Sequence, residues 1–255
     1  MNASNDNLAS AARRSQVSGW TLHEYDTVDS TNLVASTLSP WTAVRADVQT
    51  AGRGRFQRSW VSDIGGLWLS AVVPAGSDQQ RWQSLPLVAG LAVIESLKSV
   101  EISEARLRWP NDIMVKDRKL AGLLVDNFQP GCVVIGIGVN VANQPDAHDV
   151  SLRTTATRLA DLLPQSPPLS TLAEAILVSL RAVMEPFARS GLAALLPRIN
   201  ALWGGPRRVR IDLDHSQQIG LFTGVDDAGQ LLLQDDAGRI TSLASHEVKL
   251  LRELP

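Results

Sequence analysis

The stretch from Arg108 to Gly122, Arg-Trp-Pro-Asn-Asp-Ile-Met-Val-Lys-Asp-Arg-Lys-Leu-Ala-Gly, narrows the fold of this chain more than any other. Pro110 biases Trp109 toward extended backbone, and Asn111 and Asp112 are turn formers, so Trp109 to Asp112 reads as a turn. Ile113 to Val115 then reads as a short strand and Asp117-Arg118 as a hairpin turn. Lys119 opens a second apolar run, Leu120 to Val125. A hairpin sets Asp112 and Lys119 near the same end of two strands. A carboxylate and an amine so placed can hold a divalent metal and a phosphate; a surface hairpin with a solvated ion pair satisfies the same residues.

A chain of 255 residues accommodates one large domain, or one domain and a small one. Its net charge of −2 lacks the basic excess of a nucleic-acid-binding surface. The single cysteine, Cys132, excludes an internal disulfide framework and a multi-cysteine metal site, and its Val/Ile-rich surroundings read as core. No apolar run approaches the roughly 18 residues that a membrane span needs. Met1 to Ser18 is polar, without the apolar centre of a signal peptide, and residues 1–19 read as a disordered tail. A cytoplasmic protein is expected.

Trp20 to Asp26 reads as a strand, and Asp29-Ser30-Thr31-Asn32 precedes a helical run, Leu33 to Leu38. Ser, Thr and Asn in that place are helix caps, or they face a ligand at the helix start. A strand, Val44 to Thr50, leads into Ala51-Gly52-Arg53-Gly54-Arg55-Phe56-Gln57-Arg58-Ser59-Trp60. Glycines there admit close backbone approach, arginines offer forks for phosphate or carboxylate, and Trp60 can stack on a base. The loop is neither a Walker loop nor a dinucleotide fingerprint, since Gln57 stands where a third glycine would be.

Leu67 to Val73 reads as a buried strand, Gln83 to Val100 as an amphipathic helix on the sheet, and Arg106 to Trp109 as a further strand. Leu120 to Asn127 and Cys132 to Val141 follow as long strands. Gly136 and Gly138 inside the second signal close approach to its backbone, and Asn140 needs a polar partner. Ala142 to Thr155, which includes His148, has the length and polarity of a lid. Helices are expected over Thr157 to Leu163, Leu169 to Ser190 and Leu192 to Trp203. After Trp203-Gly204-Gly205-Pro206 the texture changes to five short strands, which suggest a small β-barrel. The expected division is therefore a tail (1–19), a catalytic domain (20–203) and a barrel (204–255).

Five segments occur together in order and spacing: Asp29-Ser30-Thr31-Asn32, Gln49-Thr50-Ala51-Gly52-Arg53-Gly54-Arg55, Arg108-Trp109-Pro110-Asn111-Asp112, Lys119-Leu120-Ala121-Gly122 and Gly136-Ile137-Gly138-Val139-Asn140. In these the chain resembles the biotin protein ligases, from about Trp20 to its C-terminus. The resemblance implies an α+β fold: a mixed sheet flanked by helices, related to class II aminoacyl-tRNA synthetases and lipoate ligases, with a small SH3-like barrel. It implies activation of biotin with Mg-ATP to biotinyl-5′-AMP, then transfer to a lysine of a biotin carboxyl carrier protein. No nucleic acid or membrane partner is implied, and a weak homodimer is left open. A lipoate–protein ligase on the same scaffold and a biotin-sensing regulator are the rival readings. With about 19 residues before Trp20, the form without a DNA-binding domain is expected.

By position in those motifs, Ser30, Thr31, Asn32 and Gln49 would bind the biotin head, and Arg53, Gly54 and Arg55 would cover biotin and the phosphates. Arg58 would add charge for the triphosphate and Trp60 would pack on adenine. Lys119 would touch the biotin carboxylate and the α-phosphate, with Arg53 and Arg55 as its catalytic companions. Asn111, Asp112 and Asn140 would lie in the nucleotide region, with Asp112 toward the metal, and Gly122 and Gly136 would line the pocket. Two departures stand out: Arg108 replaces the usual Lys before Trp-Pro-Asn-Asp, and Phe56-Gln57 replaces Arg-Gly in the loop.

Overall fold

The computed structural model describes residues 13–74, 79–145 and 156–254. In chain order these form β1 (Arg13–Val17), β2 (Trp20–Val28), α1 (Thr31–Ala35), β3 (Thr42–Gln49), β4 (Leu67–Pro74), α2 (Gln79–Trp82), α3 (Leu85–Lys98), β5 (Arg106–Arg108), β6 (Asp112–Val115), β7 (Arg118–Gln129) and β8 (Cys132–Val139). Helices α4 (Leu169–Ser190) and α5 (Leu196–Asn200) lead to β9 (Arg207–Asp212), β10 (Gln217–Val225), β11 (Leu231–Gln234), β12 (Ile240–Leu243) and β13 (Leu250–Glu253). Most of the expected lid, including His148, lies outside the described residues. No helix among those residues is long and apolar enough to cross a membrane.

The chain gathers into two compact units, Met1–Pro74 with Asp117–Val178 and Ala75–Lys116 with Ser179–Pro255. In the first, β1 pairs antiparallel with β2, β2 parallel with β3, and β3, β4, β8 and β7 follow antiparallel, which is the expected mixed sheet. Ala35, Val44, Val72, Cys132 and Val134 pack as one apolar cluster, so Cys132 is core. Trp20 is fully buried, lies edge-on to Trp41 and donates its indole N–H to the Leu177 carbonyl of α4 at 2.9 Å.

The expected disordered tail needs correction at its end, because Arg13–Val17 is a strand. Ser18 (φ 49°) and Gly19 (φ 82°) both take left-handed angles and join β1 to β2 with Val17 opposite Trp20. Such a two-residue turn suits the twist of paired strands. The residues of β1 are almost all exposed, which hid it from any reading by apolar alternation.

In the second unit β5 pairs antiparallel with β6, and the C-terminal strands form an antiparallel sheet in the order β12-β11-β10-β9-β13. The expected turns are there. Asp226 Oδ1 accepts the amides of Ala228 and Gln230, and Asp235 Oδ1 those of Ala237 and Arg239. Helix α3 is apolar on nearly all sides rather than amphipathic, burying residues from Leu85 to Leu97 with few exceptions. The single helix expected over Leu192 to Trp203 is divided into a 3-10 turn (Leu192–Ala194) and α5. Pro197 opens α5 and cannot continue a preceding helix. Thr157 to Leu163 contributes only the 3-10 turn Leu159–Asp161.

The C-terminal sheet starts just beyond the expected boundary, yet shares its unit with β5. The reason is a row of bonds from consecutive residues. Arg106 forks onto Glu253, at 2.9 Å to Oε1 and 2.7 Å to Oε2. The amide of Leu107 donates to the Leu202 carbonyl at 2.9 Å, Arg108 to the Leu251 carbonyl at 3.0 Å, and the Trp109 indole to the Gly229 carbonyl at 3.1 Å. Removing one member of a mostly buried pair strands the other charge. Glu253→Ala is expected to destabilise the protein by about 3 kcal/mol in denaturant unfolding, the low end for such pairs because Glu253 keeps some exposure. Joint replacement with Arg106→Met is expected to restore most of that loss.

Candidate active site

In the first unit a chain of polar side chains runs across the sheet between the start of α1 and the end of β3. Ser30 occupies the N-cap of α1 but makes no side-chain cap bond. Instead Gln49 Oε1 accepts both the Thr31 amide at 2.8 Å and the Thr31 hydroxyl at 2.9 Å. Gln49 Nε2 donates to Ser62 Oγ at 2.8 Å, and Ser62 donates to the Trp60 carbonyl at 3.0 Å. On the other side, Ser70 Oγ lies 2.7 Å from Thr31 Oγ1 and 2.6 Å from Asn32 Oδ1. Asn32 Nδ2 donates to Asp126 Oδ2 at 2.6 Å. Ser30, Thr31, Asn32, Ser62 and Ser70 are all buried, and buried polar groups persist only when paired.

The structure thus brings Thr31, Asn32 and Gln49 into one network, leaves Ser30 buried at the start of α1 outside it, and adds three residues that the sequence did not single out. Ser70 carried a signal, a hydroxyl inside the apolar run of β4. Asp126 carried one too, a carboxylate closing the run from Leu120. Ser62 carried none.

Glycines clear the floor beneath this chain. A Cβ at Gly136 would come within 2.5 Å of Asn32 Oδ1, and one at Gly138 within 2.7 Å of Trp60 Nε1. Gly122 pairs with Gly138 across β7 and β8, so the Trp60 indole rests on two backbones where side chains would otherwise stand. The strand glycines signalled close approach, and the approaching groups include Asn32 and Trp60 of this chain. Lys119 Nζ sits 5.0 Å from the centre of the Trp60 ring, within range of a cation–π contact. Trp60 Nε1 is buried without a hydrogen-bond partner among the described residues.

The arginine loop closes on itself. Trp60 donates its amide to the Gly52 carbonyl at 2.9 Å, Gly54 donates to Arg58 at 2.8 Å, and Arg53 bridges Ser59. At its tip Arg55 stacks over the Phe56 ring at 4.8 Å. Arg53 and Arg58 are exposed and form no ion pair among the described residues. Phe56 (φ 56°) and Gln57 (φ 58°) are both left-handed, a conformation that favours glycine.

Lys119 is fixed through its backbone: Thr157 donates to its carbonyl at 2.9 Å, and Lys119 bridges Ala156 in parallel. Asn140 finds its partner in Asn143, whose Nδ2 donates to Asn140 Oδ1 at 3.1 Å. Arg158 then donates to the carbonyls of Ala142 and Asn143. Asn111 and Asp112 belong to the second unit, at the entry to β6. No group of three or more metal-ligating side chains occurs among the described residues.

The site thus joins a mixed sheet with glycines at facing positions, a largely buried polar chain and a cation beside an indole. The sequence profile of the Biotin/lipoate A/B protein ligase family matches residues 24–140. A biotin--[acetyl-CoA-carboxylase] ligase of Mycobacterium tuberculosis is 35% identical, the alignment covering 92% of this chain and 91% of that protein. A bifunctional ligase/repressor of Bacillus subtilis is 29% identical over 93% of this chain and 76% of its own length. The structure of an Aquifex aeolicus biotin protein ligase in complex with biotin and ATP superposes with a TM-score of 0.80 at 28% identity, covering 91% of this chain and 99% of the other. The chain belongs to this family, among its biotin protein ligases.

Gln57→Gly is expected to stabilise the loop by about 1 kcal/mol, the cost of holding an L-residue left-handed. A rise in the thermal midpoint with unchanged secondary structure checks it.

Proposed function

We propose that this chain condenses biotin with ATP to biotinyl-5′-AMP and passes the biotinyl group to a lysine of a biotin carboxyl carrier domain of a carboxylase. The observation that supports it best is the buried chain Ser70, Thr31, Gln49 and Ser62, which ends over a glycine-cleared floor with Lys119 beside it. The ureido head of biotin offers two N–H donors and one carbonyl acceptor, and this chain offers amide and hydroxyl groups to match. The dithiolane of lipoate offers no N–H.

In this reading Ser30, Thr31, Asn32 and Gln49 hold the head of biotin. Lys119 meets the carboxylate and the α-phosphate, where joining two anions needs a fixed cation. Arg53, Arg55 and Arg58 line the loop that comes down over the phosphates, and Gly54 lets its backbone approach them. Trp60 supplies a flat apolar surface for adenine, and Asn140 and Asn111, each within its own unit, are nucleotide-binding residues. Asp112 would hold a magnesium ion that arrives on the triphosphate. One carboxylate suits magnesium, which keeps its waters and takes few protein ligands. When bound, the ion neutralises charge on the leaving pyrophosphate. Attack by the carrier lysine on the mixed anhydride needs no nucleophile from the enzyme, and shielding by the loop protects the anhydride from water.

Incubation with biotin, Mg-ATP and a carrier domain is expected to add one biotinyl group to the carrier by mass, with AMP and pyrophosphate formed. Turnover with lipoate alone would reject the reading. Lys119→Ala is expected to slow biotin-dependent pyrophosphate release by on the order of a hundredfold, the usual effect of deleting a preorganised charge contact. Release at the wild-type rate would remove Lys119 from its assigned role.

A further inference from the structure

The polar chain under the proposed biotin head can be counted proton by proton. Gln49 Nε2 donates to Ser62, and Ser62 gives its proton to the Trp60 carbonyl, so Gln49 turns its oxygen toward Thr31. At the other end the Asp126 carboxylate accepts. It takes the Asn32 NH2 at 2.6 Å, which turns Asn32 Oδ1 toward Ser70. Both ends therefore draw protons outward. Between them lie three short oxygen–oxygen contacts: Asn32 to Ser70 at 2.6 Å, Ser70 to Thr31 at 2.7 Å and Thr31 to Gln49 at 2.9 Å. Only the Ser70 and Thr31 hydroxyls supply protons to them, one each. Three contacts share two protons, and Ser70 and Thr31 are too buried for bulk water to make up the deficit.

We infer that Asp126 is a positioning residue that sets the donor and acceptor order of this chain, leaving it one proton short and so selective for a ligand that brings an N–H. The inference rests on the biotin reading above and adds the residue that imposes N–H selectivity at that site. Asp126 acts through Asn32. It fixes the amide, the amide takes the Ser70 proton, and the Thr31 oxygen is left between two acceptors with a single proton. A cyclic urea N–H donated to this oxygen row balances the count. A ligand head without N–H cannot.

In Asp126→Asn the new amide can donate to Asn32 Oδ1, and Asn32 can then turn its NH2 toward Ser70. Ser70 donates to Thr31, Thr31 donates to Gln49, and every contact has its proton without a ligand. The apo variant is therefore expected to melt at or above the wild-type temperature while binding biotin about tenfold more weakly, the worth of roughly one hydrogen bond. ATP affinity is expected to stay within about twofold on the same scale. Asp126→Glu, which keeps an acceptor-only end, is expected to recover biotin binding.

Calorimetric titration of wild type and both variants with biotin, and separately with ATP, tests this beside thermal melts. Wild-type biotin affinity in Asp126→Asn overturns the inference and leaves the biotin reading standing. So does a parallel loss of biotin affinity, ATP affinity and melting temperature, which marks a merely structural carboxylate. Failure of the wild type to bind biotin rejects the biotin reading and this inference with it.

Discussion

A side-chain amide oxygen shared by a backbone N–H and a hydroxyl is the constraint on which this site depends. Gln49 Oε1 takes both donors of Thr31, so the first residue of α1 is tied to the last residue of β3. A five-residue helix has little stability of its own. Its place over the sheet comes from this bond and from the apolar cluster that includes Ala35 and Val44. The Thr31 amide, one of the N–H groups a helix start leaves without an intrahelical partner, is satisfied from β3. The Ser30 side chain makes no cap bond, and Thr31 and Asn32 are buried.

Turning polar groups onto a sheet requires that the sheet have no side chains beneath them. Gly136 stands opposite Ser70 in the register of β4 and β8, and Asn32 rests above it while receiving the Ser70 contact. Gly138 and Gly122 clear the adjacent ground for Trp60, and Lys119 leans over the indole from β7. Glycine weakens a strand, so its use at facing positions on neighbouring strands is a local cost offset by what the cleared area holds. Desolvation of the Trp60 N–H without a partner belongs to the same cost. Both fall at the proposed biotin site, as strain at functional sites does.

The elements that the sequence declared by period or punctuation are where they were expected. Leu169–Ser190 shows its helix by spacing, and the C-terminal strands are bracketed by Asp-Asp-Ala-Gly turns whose aspartates bond their own backbone. Segments whose logic is tertiary were not legible. Strand β1 is exposed on both faces and carries no alternation, α3 is buried on most sides, and Pro197 divides a stretch whose apolar spacing reads as continuous. The same rule sorts the site. Thr31, Asn32 and Gln49 stood out because they sit in motif segments, and Asn140 because it is polar in an apolar strand. Ser62 and Asp126 acquire meaning only from the side chains that fold onto them.

Arg108 shows how a position in a recognisable motif can serve the scaffold. Read along the sequence, it is a cation beside a turn and a departure from its family's lysine. In the fold its guanidinium donates to the Leu251 carbonyl, between the Arg106–Glu253 fork and the bond from Trp109 to Gly229. Arg106, Arg108 and Trp109 thus grip the C-terminal strands and turns, the first by a charged fork, the second by a guanidinium bond to a carbonyl and the third by an indole. A planar guanidinium holds a direction that a rotating ammonium does not, so arginine serves a fixed carbonyl better than lysine. The C-terminal sheet in turn gives the Trp-Pro-Asn-Asp turn a rigid mount within its own unit. Asn111 and Asp112 follow Trp109 by two and three residues along the chain, and the bond from the Trp109 indole to Gly229 steadies the start of their turn. Arg108 thus binds β5 to the backbone of β13, one residue before the turn begins.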